Sequence, residues 1–363
     1  MDIVALSHLR WDFVYQRPQH LLSRAARRNR VLFLEEPIPG ERFGFETEAH
    51  GASLTVVRPI VPAAMAPDET EARIASELQR LVGSWREDEL VAWHYAVMAE
   101  PLSRNLDADI TVFDCMDELS AFRGAPPGLL ERERALLDRA DIVFTGGHSL
   151  WEAKRRLHPR VHAFPSSVDR AHFETARLPN PEPDALAGIG RPRLAYAGVI
   201  DERLDLELIA ALADSGVGEV VLIGPIAKID PDDVPSRPRV HRLGMRSYDE
   251  LPALFSHVDV GLMPFALNEA TRFISPTKTP EYLAAGLPVV STPITDVVRG
   301  YGDLDMVEIA DGPEAFVWAC RSALAQPRAL TAVDERLAGM SWDATWAAME
   351  ALIGDLLQGR EAA

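Results

Sequence analysis

The chain has 363 residues, of which 47% are hydrophobic and 25% charged, and its formal net charge at pH 7 is -18. This length is about twice that of a usual domain, so we expect two domains or one large α/β unit of an ordinary soluble globular protein. The negative charge argues against nucleic acid as the main partner.

Short apolar runs alternate with segments of helical period along the first half of the chain. The N-terminal MDIVALSHLRWDF has an acid at position 2 and a short apolar run, which indicates a first strand rather than a secretory signal. Strands are predicted at residues 3–7, 30–34, 54–57, 90–93, 110–114, 142–145 and 161–164, with helices such as 19–27 and 129–140 between them. This alternation is typical of parallel sheets covered by helices.

A proline-rich stretch, ETARLPNPEPDALAGIGRPR, interrupts the alternation at residues 174–193 and predicts a linker. Strands are then predicted at 194–197, 220–223, 240–243, 260–263 and 289–291, and a closing helix from Ser341. We therefore predict an N-terminal domain at 1–173, a linker at 174–193, a C-terminal domain at 194–340 and a closing helix at 341–363.

The cysteine spacing and the lengths of the apolar runs bear on localisation. Cys115 and Cys320 match neither a metal site nor a disulfide framework. The absence of a disulfide framework leads us to expect a protein of the reducing cytoplasm. No run approaches the roughly 18 apolar residues that span a bilayer. An arginine cluster could touch the inner face of a membrane, although such a run is more often a solvated helix face. Its members are Arg24, Arg27, Arg28 and Arg30.

The stretch ISPTKTPEYLAAGLPVV, residues 274–290, predicts a helix from Thr277 to Ala285 that ends at Gly286. A helix N-terminus beside Lys278 suits a phosphate. Glu281 lies three residues later on the same face, where its carboxylate could accept hydrogen bonds from a ribose. The alternative is a surface ion pair between Lys278 and Glu281, worth at most about 1 kcal/mol.

This stretch resembles the sugar-nucleotide-binding motif of GT-B glycosyltransferases, in the large retaining group related to family 4. Two further segments resemble the same group: HRLGMRSYDELPALFSHVDVGLMPF at 241–265 and the glycine turn LAYAGVIDERLDLELI at 194–209. SHLRWDFVYQRPQHLLSRAA at 7–26 and VFDCMDEL at 112–119 resemble a bacterial branch of cell-envelope and exopolysaccharide transferases, including teichuronic-acid-type enzymes. The implied fold is α/β, with two Rossmann-like domains facing a deep interdomain cleft and a C-terminal helix packing back towards the N-terminal domain.

The resemblance implies transfer of a sugar from a nucleotide-sugar donor to a glycan, a lipid-linked acceptor or a small molecule, with retention of configuration. UDP is the expected nucleotide, with GDP and dTDP as alternatives. The expected donor-binding residues are Gly198, Val199, Arg242, Leu243, Ser275, Pro276, Thr277 and Glu281. Lys278 and Arg203 would stabilise the leaving diphosphate, and no metal ion or other cofactor is expected. Arg203 could instead pair with Asp201 or Asp205.

The acceptor side is expected in the N-terminal domain. Asp117 is the candidate for activating or orienting the acceptor hydroxyl, or else the N-cap of a following helix. Further acceptor-side candidates lie near the ends of predicted strands: His8, Arg17, Gln19, His20, His94 and Asp114. A lone histidine such as His94 is more often structural.

One departure from the resembled group keeps other functions open. Many relatives have a second glutamate eight residues before the ribose-binding one, where this chain has Phe273, and the offset of Glu269 does not fit. A sugar-nucleotide epimerase of the same fold and a non-catalytic partner of a transferase are the alternatives. A nicotinamide-dependent dehydrogenase is disfavoured, because no G-x-G-x-x-G follows a first strand.

Overall fold

A computed structural model describes residues 1–361 and divides into two compact units. The first unit contains residues 1–120, residues 124–165 and the chain from Asp343 onward, and the second contains residues 121–123 and 166–342. The predicted linker, 174–193, is assigned to the second unit. Ala176 and Leu186 of this segment are buried in that unit's core, where burial of apolar surface is stabilising.

The first unit is built on a nine-stranded sheet in the order β3-β5-β2-β1-β6-β7-β8-β9, in which β4 pairs antiparallel with β5 and the other pairs are parallel. The strands are β1 (Asp2–Leu6), β2 (Arg30–Leu34), β3 (Ile38–Gly40), β4 (Gly44–Ala49), β5 (Leu54–Pro62), β6 (Leu90–His94), β7 (Ile110–Cys115), β8 (Ile142–Thr145) and β9 (Val161–Ala163). The central strands β1, β6 and β7 are buried at every position, as expected for a parallel sheet covered on both faces.

Five helices flank this sheet. They are α1 (Arg17–Ala25), α2 (Pro67–Trp85), α3 (Leu129–Arg139), α4 (His148–Lys154) and, as the last helix of the chain, α12 (Trp342–Glu361). Within the first unit, Trp346 of α12 lies with its ring 5.9 Å from that of Trp93 on β6. Asp343 at the start of α12 pairs with Arg24 and Arg27 of the α1 end. Residues 362–363 of the predicted closing helix lie outside the described residues.

The second unit has a six-stranded parallel sheet in the order β12-β11-β10-β13-β14-β15. The strands are β10 (Arg193–Ala197), β11 (Glu219–Ile223), β12 (Val240–Gly244), β13 (Val260–Met263), β14 (Val289–Ser291) and β15 (Val307–Ile309). The helices are α5 (Arg170–Glu174), α6 (Leu206–Asp214), α7 (Leu251–Phe255), α8 (Lys278–Ala284), α9 (Thr295–Tyr301), α10 (Pro313–Ala325) and α11 (Leu330–Leu337). Strand order reverses at β10, and in open α/β sheets such a switch point is where ligands bind, at the carboxyl ends of the strands.

The twelve strands predicted from sequence all occur at their predicted places, whereas β3, β4 and β15 were not predicted. Both cysteines are buried and free. Among residues 1–361, no helix combines the length and the apolar character needed to cross a bilayer.

Candidate functional site

Helix α8 begins and ends for local reasons that the sequence predicts. Thr277 is the N-cap residue but makes no side-chain cap bond, and Pro280 falls in the first turn, where a missing N–H costs little. Gly286, with φ 80°, ends the helix in the left-handed conformation, and the Leu287 N–H donates to the Tyr282 carbonyl. The predicted helix from Thr277 to Ala285 is therefore confirmed to within one residue at each end.

Lys278 and Glu281 form an ion pair on α8, as the sequence alternative proposed, but the pair is buried rather than at the surface. The side chains are 12% and 2% exposed, and the Lys278 Nζ contacts Glu281 Oε2. Burial raises the pKa of the Glu281 carboxyl, and the Lys278 ammonium only partly offsets this effect. Since a buried charge needs a partner, this pair is costly to break.

Tyr282 fixes α8 against the sheet of the second unit. Its hydroxyl accepts a hydrogen bond of 2.7 Å from the Ala197 N–H at the end of β10. Its ring packs so closely on β13 that a Cβ at Gly261 would lie 2.6 Å from ring carbons. The sequence analysis included Tyr282 only as part of the motif and missed this role. The position requires both a ring, which packs on β13, and a hydroxyl, which accepts from the Ala197 N–H.

Two glycine turns meet beside that anchor point. Gly198 follows β10 and Gly224 follows β11, and a Cβ on Gly224 would stand 1.9 Å from the Gly198 carbonyl oxygen. The loops are tied together by hydrogen bonds from the Ile200 N–H to the Pro225 carbonyl and from the Ala227 N–H to the Ile200 carbonyl. Val199 lies in this fixed backbone, and its carbonyl accepts from the Tyr196 hydroxyl.

Arg203 forms the alternative pair that the sequence allowed, with Asp201. Its Nε lies 3.0 and 3.1 Å from the two Asp201 carboxylate oxygens, and its Nη2 lies 2.7 Å from Oδ2. Asp201 is buried, whereas the Arg203 side chain is about a quarter exposed. The carboxylate therefore holds the guanidinium in one orientation while part of it still faces solvent.

The remaining predicted donor residues occupy one loop and an edge strand. The Ser275 carbonyl accepts from Ser166 Oγ at 2.6 Å, which anchors the loop through Pro276 and Thr277. Arg242 and Leu243 lie on β12, an edge strand with one row of main-chain groups outside the sheet. The exposed Glu269 pairs with Arg272, so the structure gives no sign that it replaces the glutamate absent at Phe273.

In the first unit, Arg17 and Asp114 are joined in one buried ion pair. The Arg17 Nε lies 3.0 and 3.1 Å from the two Asp114 oxygens, its Nη2 lies 2.8 Å from Oδ1, and its Nη1 donates to the Phe164 carbonyl at 2.7 Å. Both carboxylate oxygens are thus occupied. This arrangement favours a role in tying α1 to β7 over direct contact with an acceptor.

Three other acceptor-side candidates also have structural partners. The Gln19 amide donates to the carbonyls of Arg10, Trp11 and Val14 and so holds the loop before α1. His20 is buried with its ring edge-on to Tyr15. His94 is fully buried against Ser103 Oγ at 2.9 Å, and burial lowers its pKa to about 3, so it is neutral near pH 7.

His8 and Asp117 line one small pocket of the first unit, together with Tyr95 and Glu133. Glu133 and Glu118 are paired with the buried Lys154, at 2.5 and 2.7 Å. Within residues 1–361, the Asp117 carboxylate has no hydrogen bond or ion pair, so the N-cap alternative does not occur. Burial raises the pKa of the Tyr95 hydroxyl, and the nearby Asp114 carboxylate adds to this effect.

One cluster in residues 1–361 brings three metal-ligand types together: Asp12, Glu48 and His50. Arg58 donates to both of its carboxylates, at 3.1 Å for Asp12 and 2.8 Å for Glu48. Because both carboxylates already pair with this guanidinium, the cluster has the contacts of an ordinary surface ion-pair network.

Comparison with known proteins agrees with this architecture. Residues 203–326 match the family described as glycosyl transferases group 1. The fold resembles sucrose-phosphate synthase from Thermosynechococcus elongatus, with a TM-score of 0.77 at 17% identity over 99% of both chains. It also resembles a UDP-forming alpha,alpha-trehalose-phosphate synthase from Burkholderia xenovorans in complex with glucose-6-phosphate, with a TM-score of 0.67 at 13% identity over 98% of this chain and 100% of that one. The fold is thus GT-B, as predicted.

The segment that matches the glycosyl transferases group 1 family lies within the second unit. A curated relative is TuaH of Bacillus subtilis (strain 168), whose name describes a teichuronic acid biosynthesis glycosyltransferase. It is 27% identical over 237 residues, and the match spans 60% of this chain and 59% of that relative.

Proposed function

We propose that this protein is a glycosyltransferase that moves a sugar from a UDP-sugar to a hydroxyl group of a glycan, lipid-linked or small-molecule acceptor, with retention and without a metal ion. Lys278 and Arg203 stabilise the charge that develops on the leaving diphosphate. Glu281 accepts hydrogen bonds from the ribose, and the backbone of Arg242 and Leu243 contacts the base. Asp117 activates or orients the acceptor hydroxyl.

The observation that carries this proposal is the buried pair of Lys278 and Glu281 on a helix that Tyr282 ties to the glycine turn at Gly198. An ammonium and a carboxylate on one face suit the two ends of a ribosyl diphosphate. The pair lies within the segment that matches glycosyl transferases group 1. An E. coli structural relative bound with UDP-2-fluoro glucose, at 14% identity and a TM-score of 0.67, supports UDP as the nucleotide.

The acceptor part of the proposal is supported by the charges around the pocket of His8 and Asp117. Asp114 is paired with Arg17, and Glu118 and Glu133 share the single ammonium group of Lys154. Asp117 is therefore the carboxylate of this group that remains available to a ligand, and Tyr95 lines the same pocket. A pocket with this chemistry favours a neutral hydroxyl over an acceptor phosphate, which the carboxylate would repel.

A thermal-shift screen with UDP, GDP, dTDP and ADP tests the donor site. We expect UDP to raise the Tm, since saturation at about 100 times Kd stabilises a protein by about 2.7 kcal/mol. Lys278→Ala and Glu281→Ala should abolish the shift, while Glu269→Ala, an exposed acid in the preceding loop, should keep it. If no nucleotide shifts the unsubstituted protein, the donor site is wrong and the non-catalytic alternative gains weight.

The ion pairs of the structure reduce the charge that residues 24–30 could offer to a membrane, so they argue against peripheral contact through this cluster. Arg24 and Arg27 pair with Asp343, and Arg30 pairs with Asp2 and Glu87. We expect no detectable sedimentation with phosphatidylglycerol vesicles at 150 mM salt and weak binding at most at 20 mM, where screening is lower. Strong binding at 150 mM that Arg28→Gln removes would show instead that the cluster acts as a basic face.

A further inference from the structure

Lysine is rare in this chain. Of its 37 lysine and arginine residues, three are lysines: Lys154, Lys228 and Lys278. Lys154 and Lys278 are buried and each pairs with glutamate. Lys228 is exposed, and within residues 1–361 no carboxylate lies within ion-pair distance of its ammonium group. Ion pairing therefore explains two of the lysines and leaves Lys228 without an explanation.

The backbone places Lys228 firmly, and at a conformational cost. Its φ of 61° is in the left-handed region, which non-glycine residues adopt infrequently. The preceding Ala227 N–H donates to the Ile200 carbonyl at 3.0 Å, and Ile226 forms a bridge with Ile200. Lys228 is thus fixed next to the loop that contains Gly198 and Arg203.

Lys228 and Arg203 converge on one aromatic ring. The Lys228 Nζ lies 5.1 Å from the centroid of Phe122, and the Arg203 Cζ lies 5.7 Å from it. The ring belongs to the short segment 121–123 of the second unit. An aromatic face attracts each cation but does not neutralise either of them. Asp201 balances Arg203, so the Lys228 ammonium adds a positive charge in excess.

We propose that Lys228 binds a phosphate group of the nucleotide diphosphate, together with Arg203. This inference rests on the proposed function and adds a cation from the loop after β11 to those from the loop after β10 and from α8. A lysine acts here as a point charge, whereas Arg203 is held in one orientation by Asp201. The Phe122 ring keeps both cations near the carboxyl ends of β10 and β11 before the ligand arrives.

The test is isothermal titration of UDP and of uridine into the full chain carrying Lys228→Asn, because asparagine tolerates the left-handed backbone. We expect the Kd for UDP to rise about tenfold, as for the loss of a charge-assisted contact. The Kd for uridine should stay unchanged, the salt dependence of UDP binding should weaken, and Lys228→Arg should restore most of the affinity. Arg321→Gln removes an exposed cation from α10 of the same unit and should leave UDP binding unchanged.

Failure of this inference and failure of the proposed function give different results. If the unsubstituted protein binds UDP and Lys228→Asn binds it equally well, Lys228 is not a phosphate contact and the donor site stands. If the unsubstituted protein binds no UDP, both proposals are overturned. An equal loss of affinity for UDP and for uridine would also overturn the inference, since it would indicate that the substitution disturbs the loop rather than a phosphate contact. Lys228→Gly, which relaxes the backbone, provides a second neutral variant if the asparagine variant does not fold.

Discussion

Replacing Lys278 with methionine should destabilise the second unit at neutral pH and abolish UDP binding. Glu281 is 2% exposed on its side chain, and Lys278 is the cation that pairs with it. Removing one member of a buried pair leaves an uncompensated charge, which costs about 3 kcal/mol or more. Burial already raises the pKa of the Glu281 carboxyl, and loss of the ammonium should raise that pKa further.

The pH dependence of this variant follows from the direction of that pKa shift. A carboxyl group whose pKa is higher in the folded than in the unfolded state contributes its full stability below the unfolded pKa, about 4.3. This stability is lost as the pH rises through the folded pKa. The difference in unfolding free energy between the unsubstituted protein and Lys278→Met should therefore be small near pH 4.5 and increase towards pH 7.5. Urea unfolding at the two pH values measures it.

A double variant separates the structural and the functional parts of this result. Lys278→Met combined with Glu281→Gln removes the buried charge as well as its partner, and it should regain most of the stability at pH 7.5. It should still show no UDP-induced rise in Tm, because both of the proposed contacts to the nucleotide are gone. A stability loss that is the same at both pH values would contradict the assignment to an uncompensated Glu281 carboxylate.

Local patterns sufficed for most of the fold but not for its edges. The buried strands are continuous apolar runs between turn residues, so their places could be predicted. Strand β4 was missed because its sequence, GFETEA, contains two glutamates and no apolar run. It is a strand because it pairs with β5. Strand β15 was missed because it is three residues long and includes Glu308. In both cases the pairing partner, not the segment's own sequence, defines the strand.

The candidate site shows the same limit. Spacing placed Lys278 and Glu281 on one face of a helix, but it could not show that the face is buried, since burial depends on the packing of α8. The pairing of Arg17 with Asp114 joins residues 97 positions apart, and local sequence carries no signal for it. The anchoring of Tyr282 to Ala197 likewise required the tertiary structure. The sequence therefore allowed the charged candidate residues to be named, and the structure showed which of them are already held in ion pairs.

The second large effect is expected in the first unit, where Asp114→Asn should lower the free energy of unfolding because it removes the partner of Arg17. Arg17 and Asp114 are both buried, and the guanidinium keeps its charge at any pH used for folding experiments. Without the carboxylate, the buried cation should cost about 3 to 5 kcal/mol. The Tm of the first unit should fall by about 10 °C on that account. Differential scanning calorimetry with and without UDP separates this transition from that of the second unit, which should keep its response to UDP.

The control for this effect is Arg17→Met combined with Asp114→Asn, which removes the buried cation along with its partner. This double variant should be more stable than Asp114→Asn alone, because no uncompensated charge remains. The same pair of variants decides between the two roles considered for Asp114. If Asp114→Asn keeps the Tm of the unsubstituted protein and yet loses sugar transfer, Asp114 acts on the acceptor. If the Tm falls and the double variant recovers it, Asp114 holds Arg17 in place and Asp117 remains the acceptor-side carboxylate.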